Sequence, residues 1–490
     1  MRQLRYLLLS LILIGFAGSS AMGQLSQTQY FMNFPQSNML NPAFRPANKV
    51  TVGIPALSNI YLGINNNILS INDILRPMEG ADSTITILHP DYPKSDRDAF
   101  LKGLGNTSYL TFNASVQLFQ LGFTIDNDWY VDLTLSQKAT GSAYLPGDLF
   151  TLAFEGNESF VGSTIDLSGF GFEAMQYMET ALGISKNINE KLRIGGRVKL
   201  LFGGVGAAID NRELLIDVNN DLSHTIHSDV ILNVSGPFTF VTDADNMVES
   251  VEVWDDINPF DILINSDNSG LAFDLGAEYQ LLHNLSVSAS IVDLGFLGWK
   301  TDVFNLSATN DFIFDGFDVS DVIEGNREFD EVLDSFADSL LESFELMSGS
   351  SNFSMGMPTR LYIGAQYKPL NYLGLGLLSR SIINEGHFSQ ALSLSANLYA
   401  GDILSTSLTY TMANRSYNNL GFGVSLKMGP VQFYTIADQL PLSWVKFESI
   451  EDDISFPMPN RLDFINVRFG INLLFGKVKQ KVNDKPMLLE

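Results

Sequence analysis

The chain has no cysteine in 490 residues, which excludes a disulfide framework and thiol-ligated metal sites. Cations are scarce: 29 Lys and Arg stand against 55 Asp and Glu, for a net charge of −26. The basic footprint that a nucleic-acid partner would need is therefore missing. Beyond residue 23 there is no apolar run of 18 residues, so no membrane-spanning helix is expected although 45% of the residues are hydrophobic. That absence leaves barrels open, because a transmembrane strand needs only about 9–11 residues with every second one apolar. No Pro/Ser-rich linker divides the chain, which reads as one domain.

What is present begins with a leader. Arg2 and Arg5 precede the apolar run Tyr6 to Phe16, and small residues follow up to Ala21-Met22-Gly23 before Gln24. This is the pattern of a secretory signal peptide, too short to span a bilayer as an anchor. Cleavage near Gly23/Gln24 removes two Arg and no acid, taking the charge from −26 to −28.

Two hairpins carry the clearest strand signal. From Gln176 to Lys186, Met178, Thr180, Leu182 and Ile184 alternate with Glu179, Ala181, Gly183 and Ser185. After Asn187-Ile188-Asn189, Leu192, Ile194, Gly196, Val198 and Leu200 alternate with Arg193, Gly195, Arg197 and Lys199. One face is apolar and the other holds three cations and a carboxylate, as a lipid-out, lumen-in strand requires. The second hairpin sets Phe273, Leu275, Ala277, Tyr279 and Leu281 against Asp274, Gly276, Glu278 and Gln280, then turns at Leu282-His283-Asn284 into Leu285–Ile291. Matched faces require odd loops, and a one-residue slip would put charge into lipid. Glu179 is expected across from Arg197 inside the lumen. The luminal charged set is Glu179, Arg193, Arg197, Lys199, Asp274 and Glu278, in structural roles.

Further strands are expected at residues 108–116, 129–138, 208–218, 225–234, 301–314, 358–368, 372–381, 391–399, 404–412, 420–427, 431–437 and 461–475. Junctions are tight at 369–371, 400–403 and 428–430, and long and acidic at 235–268, 315–357 and 438–460, the outer-membrane asymmetry of short turns and long loops. Strand parity stays open between 301 and 357: either a strand hides within 315–357 or 301–314 is an excursion outside the membrane. Within that stretch Val332, Leu333, Phe336 and Leu340 recur at helical spacing, which predicts one amphipathic helix over Phe329–Phe344 in a long loop. The last strand alternates Val467, Phe469, Ile471, Leu473 and Phe475 with Arg468, Gly470, Asn472 and Leu474. Its terminal Phe475 resembles the signal read by the barrel-assembly machinery, and 476–490 reads as a periplasmic tail.

Catalytic motifs are absent from the sequence: there is no Gly-x-Ser-x-Gly elbow, His-Glu-x-x-His helix or P-loop. Among the five histidines, His89, His224, His227, His283 and His387, only His224 and His227 are close, and three residues apart on a strand puts them on opposite faces. No cofactor and no enzyme activity are expected. The acidic stretch Asp243 to Asn246, with Glu249, Asp255 and Asp256, offers oxygen ligands for Ca²⁺ but has Trp254 where the twelfth-position carboxylate belongs, and reads as a solvated loop. Trp129, Trp299 and Trp444 sit near strand ends, in an interfacial girdle or in loop core.

Three stretches carry a resemblance: Asn38-Met39-Leu40-Asn41-Pro42-Ala43-Phe44; Gly270 to Tyr279 continuing to Asp293-Leu294-Gly295-Phe296 and Trp299; and Tyr417 to Val424 continuing to Gln432 and Tyr434. They resemble uncharacterised outer-membrane barrels of Bacteroidota, a domain-of-unknown-function family related to the PorP/SprF-like and FadL-like barrels. The resemblance implies an all-β transmembrane antiparallel barrel of about 14 strands (12–16), with a polar and often plugged interior. It suggests that the segment 24–47 enters the lumen ahead of a barrel over 48–475. FadL-like relatives pass small hydrophobic molecules, whereas PorP/SprF-like relatives serve type IX secretion or gliding as envelope assembly components. The reading is a non-enzymatic outer-membrane barrel of one of these kinds, with a lipid-acting barrel enzyme below them. The partners expected are outer-membrane lipid, the assembly machinery during biogenesis, and a hydrophobic small molecule or an envelope protein.

Overall fold

The computed structural model describes residues 27–478 apart from 67–74, 78–83, 88–91, 105–106, 222, 243–247, 255–264, 315–346, 385, 414–415, 439–443, 449–454 and 460–463. Fourteen antiparallel strands close into one barrel. Strand β1 comes in two parts, Asn48–Gly53 and Ile60–Asn66; β2 is Thr107–Ile125, β3 Trp129–Pro146, β4 Gly171–Asn187 and β5 Leu192–Val218. Then follow β6 Ser269–Leu282, β7 Leu285–Trp299, β8 Thr359–Leu370, β9 Leu373–Asn384 and β10 His387–Ala400. The wall ends with β11 Leu404–Ala413, β12 Ser416–Met428, β13 Val431–Ala437 and β14 Phe464–Lys477. Each strand pairs with the next, and β14 returns to β1, with Val50 opposite Phe475 and Ile60 opposite Phe469.

The period-two sequence pattern becomes two surfaces. On β4, Leu182 and Ile184 are about half exposed while Glu179 and Ser185 are buried. Along β14, Val467, Phe469 and Phe475 face out, and Arg468, Asn472 and Leu474 face in. Every one of the fourteen strands exposes at least one large apolar side chain, from Leu62 and Phe123 round to Phe433 and Phe475. Scattered exposed apolar residues are ordinary, but a continuous apolar belt around a closed barrel is the face that lipid requires. At one end the turns 126–128, 188–191, 283–284, 371–372, 401–403 and 429–430 are short, and Asn48 and Lys477 meet there. At the other end five connections are long, and those at 385–386 and 414–415 are short.

The register corrects two details of the sequence reading. Lys186 pairs with Ile194 and Gly183 with Arg197, so Glu179 stands opposite Leu201 rather than Arg197. The turn centres on Glu190, two residues later than Asn187-Ile188-Asn189 implies, because the Asn189 side-chain oxygen accepts the backbone N–H groups of Lys191 and Leu192. Such an Asx-type turn fixes the reversal beyond the asparagine. In the second hairpin Leu282 pairs with Leu285 across a two-residue turn, and a register shift between Gln280 and Leu282 keeps the faces matched. A bulge thus does the work expected of an odd loop.

The parity question resolves as an excursion. Strand β5 is 27 residues long, and only its first part, Leu192–Phe202, pairs with β6. Its far part pairs with a strand His224–Ser235, which pairs in turn with Val303–Ala308 and Asp311–Phe314. The chain comes back through Met347–Gly349 and Phe353–Gly356, the latter pairing with the end of β7. The expected strands at 225–234 and 301–314 therefore extend the sheet past the wall and are not crossings. The helix expected over Phe329–Phe344 lies outside the described residues, as does the leader expected over residues 1–23. Two helices do lie in loops at that same end, α2 Lys94–Gly103 and α3 Gly147–Glu155, with Phe100 set edge-on to Phe150 and Phe154. Trp299 is fully buried in a core cluster with Tyr177 and Met355, whereas Trp129 is exposed beside Lys186 at the short-turn end.

Two expectations follow. Leu275, among the most exposed residues of the belt, should cost about 2–4 kcal/mol when replaced by Arg in lipid. The same change on a water-exposed surface stays within about 0.5 kcal/mol, so refolding titrations into vesicles decide between the two environments. In the sheet extension, His227 contacts Asp311 through Nδ1 at 3.0 Å and Asp217 through Nε2 at 3.3 Å. Both ring nitrogens donate only in the imidazolium form, and the hydrogen bonds to Asp311 and Asp217 hold the histidine above its ordinary pKa. The added stability is present below the unfolded value near 6.5 and is lost as pH rises through the raised one. Amide exchange over His224–Ser235 should accelerate across that window, and a flat profile removes the role.

Candidate functional site

The lumen is occupied by the N-terminal segment. Helix α1, Gln27–Phe31, and a 3₁₀ turn, Pro35–Met39, are almost wholly buried within the barrel. Three aromatic side chains, Tyr30, Phe31 and Phe34, pack on the wall, with Tyr30 stacked on Tyr362 at 5.8 Å and its hydroxyl 2.8 Å from Ser288 Oγ. Phe34 stacks on Tyr434 at 4.2 Å. Gln36 is the polar centre: its Nε2 lies within 3.1 Å of Ser58 O and the side-chain oxygens of Gln117, Gln120 and Asn472, while its Oε1 accepts from Asn472 Nδ2. Asn38 donates to Asp132, and Asp438 accepts the backbone N–H of Thr28. Uncharged amides and aromatics suit this position, since each buried polar group needs a partner inside the protein.

Under the Asn41-Pro42 step, close approach depends on two glycines. A Cβ on Gly195 would lie 2.2 Å from the carbonyl oxygen of Pro42, and one on Gly276 would lie 2.1 Å from Asn41 Oδ1. These two wall positions are neighbours across β5 and β6, where Gly276 pairs with Gly195. The Asn41-Pro42 step rests on that bare backbone, and Asn41 Nδ2 donates to Ala277 O.

A charge network lines the wall beside and above the segment. Arg197 pairs with Asp132 over Gly183, where a Cβ would collide with the Asp132 carboxylate. Lys138 binds Glu179 at 2.6 Å, and Lys199 reaches Asp274 at 2.7 Å, Asp293 at 2.5 Å and Glu179 at 3.9 Å. Arg360 completes the chain on Asp293 at 2.5 Å. A bulge aims Asp293 inward: the register steps between Phe273 and Leu275, and Asp293 has φ 60 with its N–H on Asp274 Oδ1. That left-handed conformation costs a non-glycine residue about 1 kcal/mol, and re-aiming a side chain is what bulges do beside functional sites. Buried ions of this kind hold only while mutually paired.

The six luminal residues named from sequence thus divide. Glu179, Arg197, Lys199 and Asp274 belong to the network, while Arg193 and Glu278 form their own pair at 2.8 Å nearer the short-turn end. Their partners Asp132, Lys138, Asp293 and Arg360 were missed, although Asp132 and Lys138 already alternate with apolar residues in the expected strand 129–138. Phe475 sits on the outer face, opposite Val50. Among the histidines, His224 Nε2 meets Asn157, and His387 stacks on Tyr144 at 4.0 Å. His283 is in the β6–β7 turn, and His89 lies outside the described residues. Of the acidic stretch, residues 243–247, 255 and 256 are likewise outside them, while Glu249 is on the strand Val248–Val253.

Above the segment lies a cavity of about 90 Å³. Its floor includes Gln29, Met39 and Leu40, and its wall carries Lys138, Glu179, Arg197, Lys199, Asp293, Arg360 and Arg468. Asn59 also lines it, and Asn59 closes the interruption of β1. Between Gly53 and Ile60 six residues of β1 face two of β14, because Gly53 pairs with Asn472 and Ile60 with Phe469. Here the ladder is replaced by single bonds, Ile54 N to Ile471 O and Ile471 N to Leu57 O, and Pro55, Ala56 and Leu57 are exposed. Exposed Phe119, Phe123 and Phe469 place the seam within the apolar belt.

The model of a family described as a family of unknown function, DUF5723, matches residues 42–438, and the chain belongs to that family. No curated protein matches it. It is similar to a solved FadL homologue from Pseudomonas aeruginosa, at 11% identity over 93% of this chain and 99% of that one, TM-score 0.41. It is also similar to the P. putida toluene transporter TodX, at 11% identity over 93% and 99%, TM-score 0.39. A Rhodopseudomonas blastica porin mutant follows at 9% identity over 87% and 100%, TM-score 0.21.

The glycine contact predicts how the luminal segment can be released. Gly195→Val should unseat the Asn41-Pro42 step while leaving the outer face intact. Proteolysis of the folded barrel in detergent should then cut within residues 27–44, where the unaltered protein resists; equal resistance would show that the close approach is not needed.

Proposed function

We propose that this DUF5723 member is an outer-membrane channel that admits small molecules from its long-loop end into the luminal cavity and releases them sideways through the β1 seam. The observation that carries the reading is the meeting of cavity and seam at Asn59, a few residues from the exposed Leu57. The straight route to the short-turn end is filled by residues 27–44, so the broken ladder, held there by single bonds, is the part of the wall beside the cavity with the fewest regular strand pairings. Export by the leader, insertion by the assembly machinery through the β14 strand ending near Phe475, and a periplasmic position for the turns and the tail 476–490 complete the proposal.

The cargo expected from the FadL-like resemblance is hydrophobic. The lining supports that in part: Met39, Leu40, Ala114, Ala139, Met357 and Pro358 are apolar, but five cations and two carboxylates line the cavity as well. A solute with both an apolar part and a polar group fits this lining better than a pure hydrocarbon. An envelope assembly role, as in type IX secretion or gliding, draws less support, because among the described residues the exposed apolar side chains spread over all fourteen strands and do not gather into one docking patch.

Purified protein reconstituted into lipid vesicles tests the channel. Vesicles containing it should take up small labelled solutes faster than empty ones. The sequence has no cysteine, so a Gln36→Cys/Asn472→Cys pair can tether the luminal segment. Uptake should persist when that disulfide forms, because the route passes beside the segment. Folded protein that passes no solute sinks the channel reading, and loss of uptake only on tethering moves the exit to the segment itself.

A further inference from the structure

The charge balance of the lumen points to a ligand. Six buried or half-buried cations face the barrel interior, of which Lys138, Arg197, Lys199, Arg360 and Arg468 line the cavity and Arg380 is buried beside it; five carboxylates answer them, Asp132, Glu179, Asp274, Asp293 and Asp438. Each of these carboxylates already has a partner, although Asp274 Oδ2 is buried without one. Asp293 is shared between Lys199 and Arg360, Asp132 is held by Arg197 and Asn38, and one oxygen of Asp438 takes the Thr28 N–H. The remaining buried acid, Glu173, is farther up the wall and accepts from Asn384.

Arg380 is the group left over. It is 1% exposed, and among the described residues no carboxylate lies within 4.0 Å of it; its Nε and Nη2 have no hydrogen-bond partner. The Nε atoms of Arg197 and Arg360, both on cavity-lining residues, are buried and unpartnered as well. Arg360, Arg380 and Arg468 converge on one ring: Arg380 is the cross-strand neighbour of Tyr362, and Tyr362, which lines the cavity, lies within electrostatic range of all three. Arg468 is anchored by Asn59 at 2.7 Å and over the Tyr61 ring at 4.4 Å, so its guanidinium is held in place. A buried charge without a counter-ion is strongly unfavourable, and guanidinium forks match the geometry of carboxylate and phosphate oxygens.

We propose that the cavity is a binding site for a small oxyanion, a carboxylate or phosphate group, held by Arg360 and Arg468 and charge-balanced by Arg380. About 90 Å³ is room for such a group and a few waters. The inference deepens the channel reading by naming the polar group of the solute, and it rests on that reading only for the claim that the anion is cargo.

The test uses the whole barrel in zwitterionic detergent, with no membrane gradient. Sodium phosphate and sodium acetate are titrated separately at constant ionic strength, balanced with chloride, and the unfolding temperature is followed. At least one should raise it saturably; the more effective one names the group. Arg380→Met should weaken the midpoint about tenfold or more and should raise the unfolding temperature in chloride alone, because it removes the uncompensated charge. A purely structural arginine would lower it. Arg212→Met, on the exposed sheet extension, should change neither. Where Arg380→Met does not fold, judged by gel mobility before and after heating, Arg468→Gln carries the same binding test. No saturable response to either anion, or an unchanged midpoint in the folded variants, overturns the proposal. Binding without vesicle uptake refutes the channel alone, and uptake without binding refutes the oxyanion site alone.

Discussion

The structure depends on closure of the backbone ladder between β1 and β14. Inside lipid an unpaired N–H or C=O has no water to turn to, so a sheet with an open edge is not an option. Once Asn48–Asn66 lies between β2 and β14, the wall has no edge and every second residue is free to face an enclosed space. Only then can charges such as Arg197 and Asp132 be buried in a membrane-sized object. Among the described residues the widest interruption of the ladder, residues 54–59, stands out because the other breaks are bulges of a residue or two.

The wall was legible in sequence because its physics is local. Alternation along β4, β5, β6 and β14 requires only neighbouring residues, and the apolar faces found there are those read from the sequence. Bounds were less readable where residues turn before the pattern ends, as Asn189 does. Residues 208–218 and 224–235 alternate like wall strands and pair like them, yet stand outside the ring; nothing in a strand's own sequence states how far along the barrel it lies. The strand β1 escaped recognition because its pattern is broken by Pro55-Ala56-Leu57, the interruption that also makes it interesting.

The luminal network was half legible for a related reason. Charge on alternate positions says which way a side chain points but not what it meets. Arg197 points inward as expected, yet its partner comes from β3, two strands away, past the bare surface of Gly183. Asp293 was invisible as a luminal acid because only a bulge with φ 60 turns it inward. The glycines under Asn41 and Pro42 likewise carry no signal of their purpose until the partner surface is known.

The contacts of Gln36 have a consequence for the order of assembly. Its hydrogen bonds reach Asn472, 436 residues further along the chain. The segment is therefore among the first parts to be made and can be sealed in only when the last strand arrives. Contacts so distant in sequence form slowly, since the intervening chain must be ordered before they can reward it. The full set of Gln36 hydrogen bonds exists only in the closed ring, and a chain truncated before β14 lacks both the closing strand and the Asn472 partner.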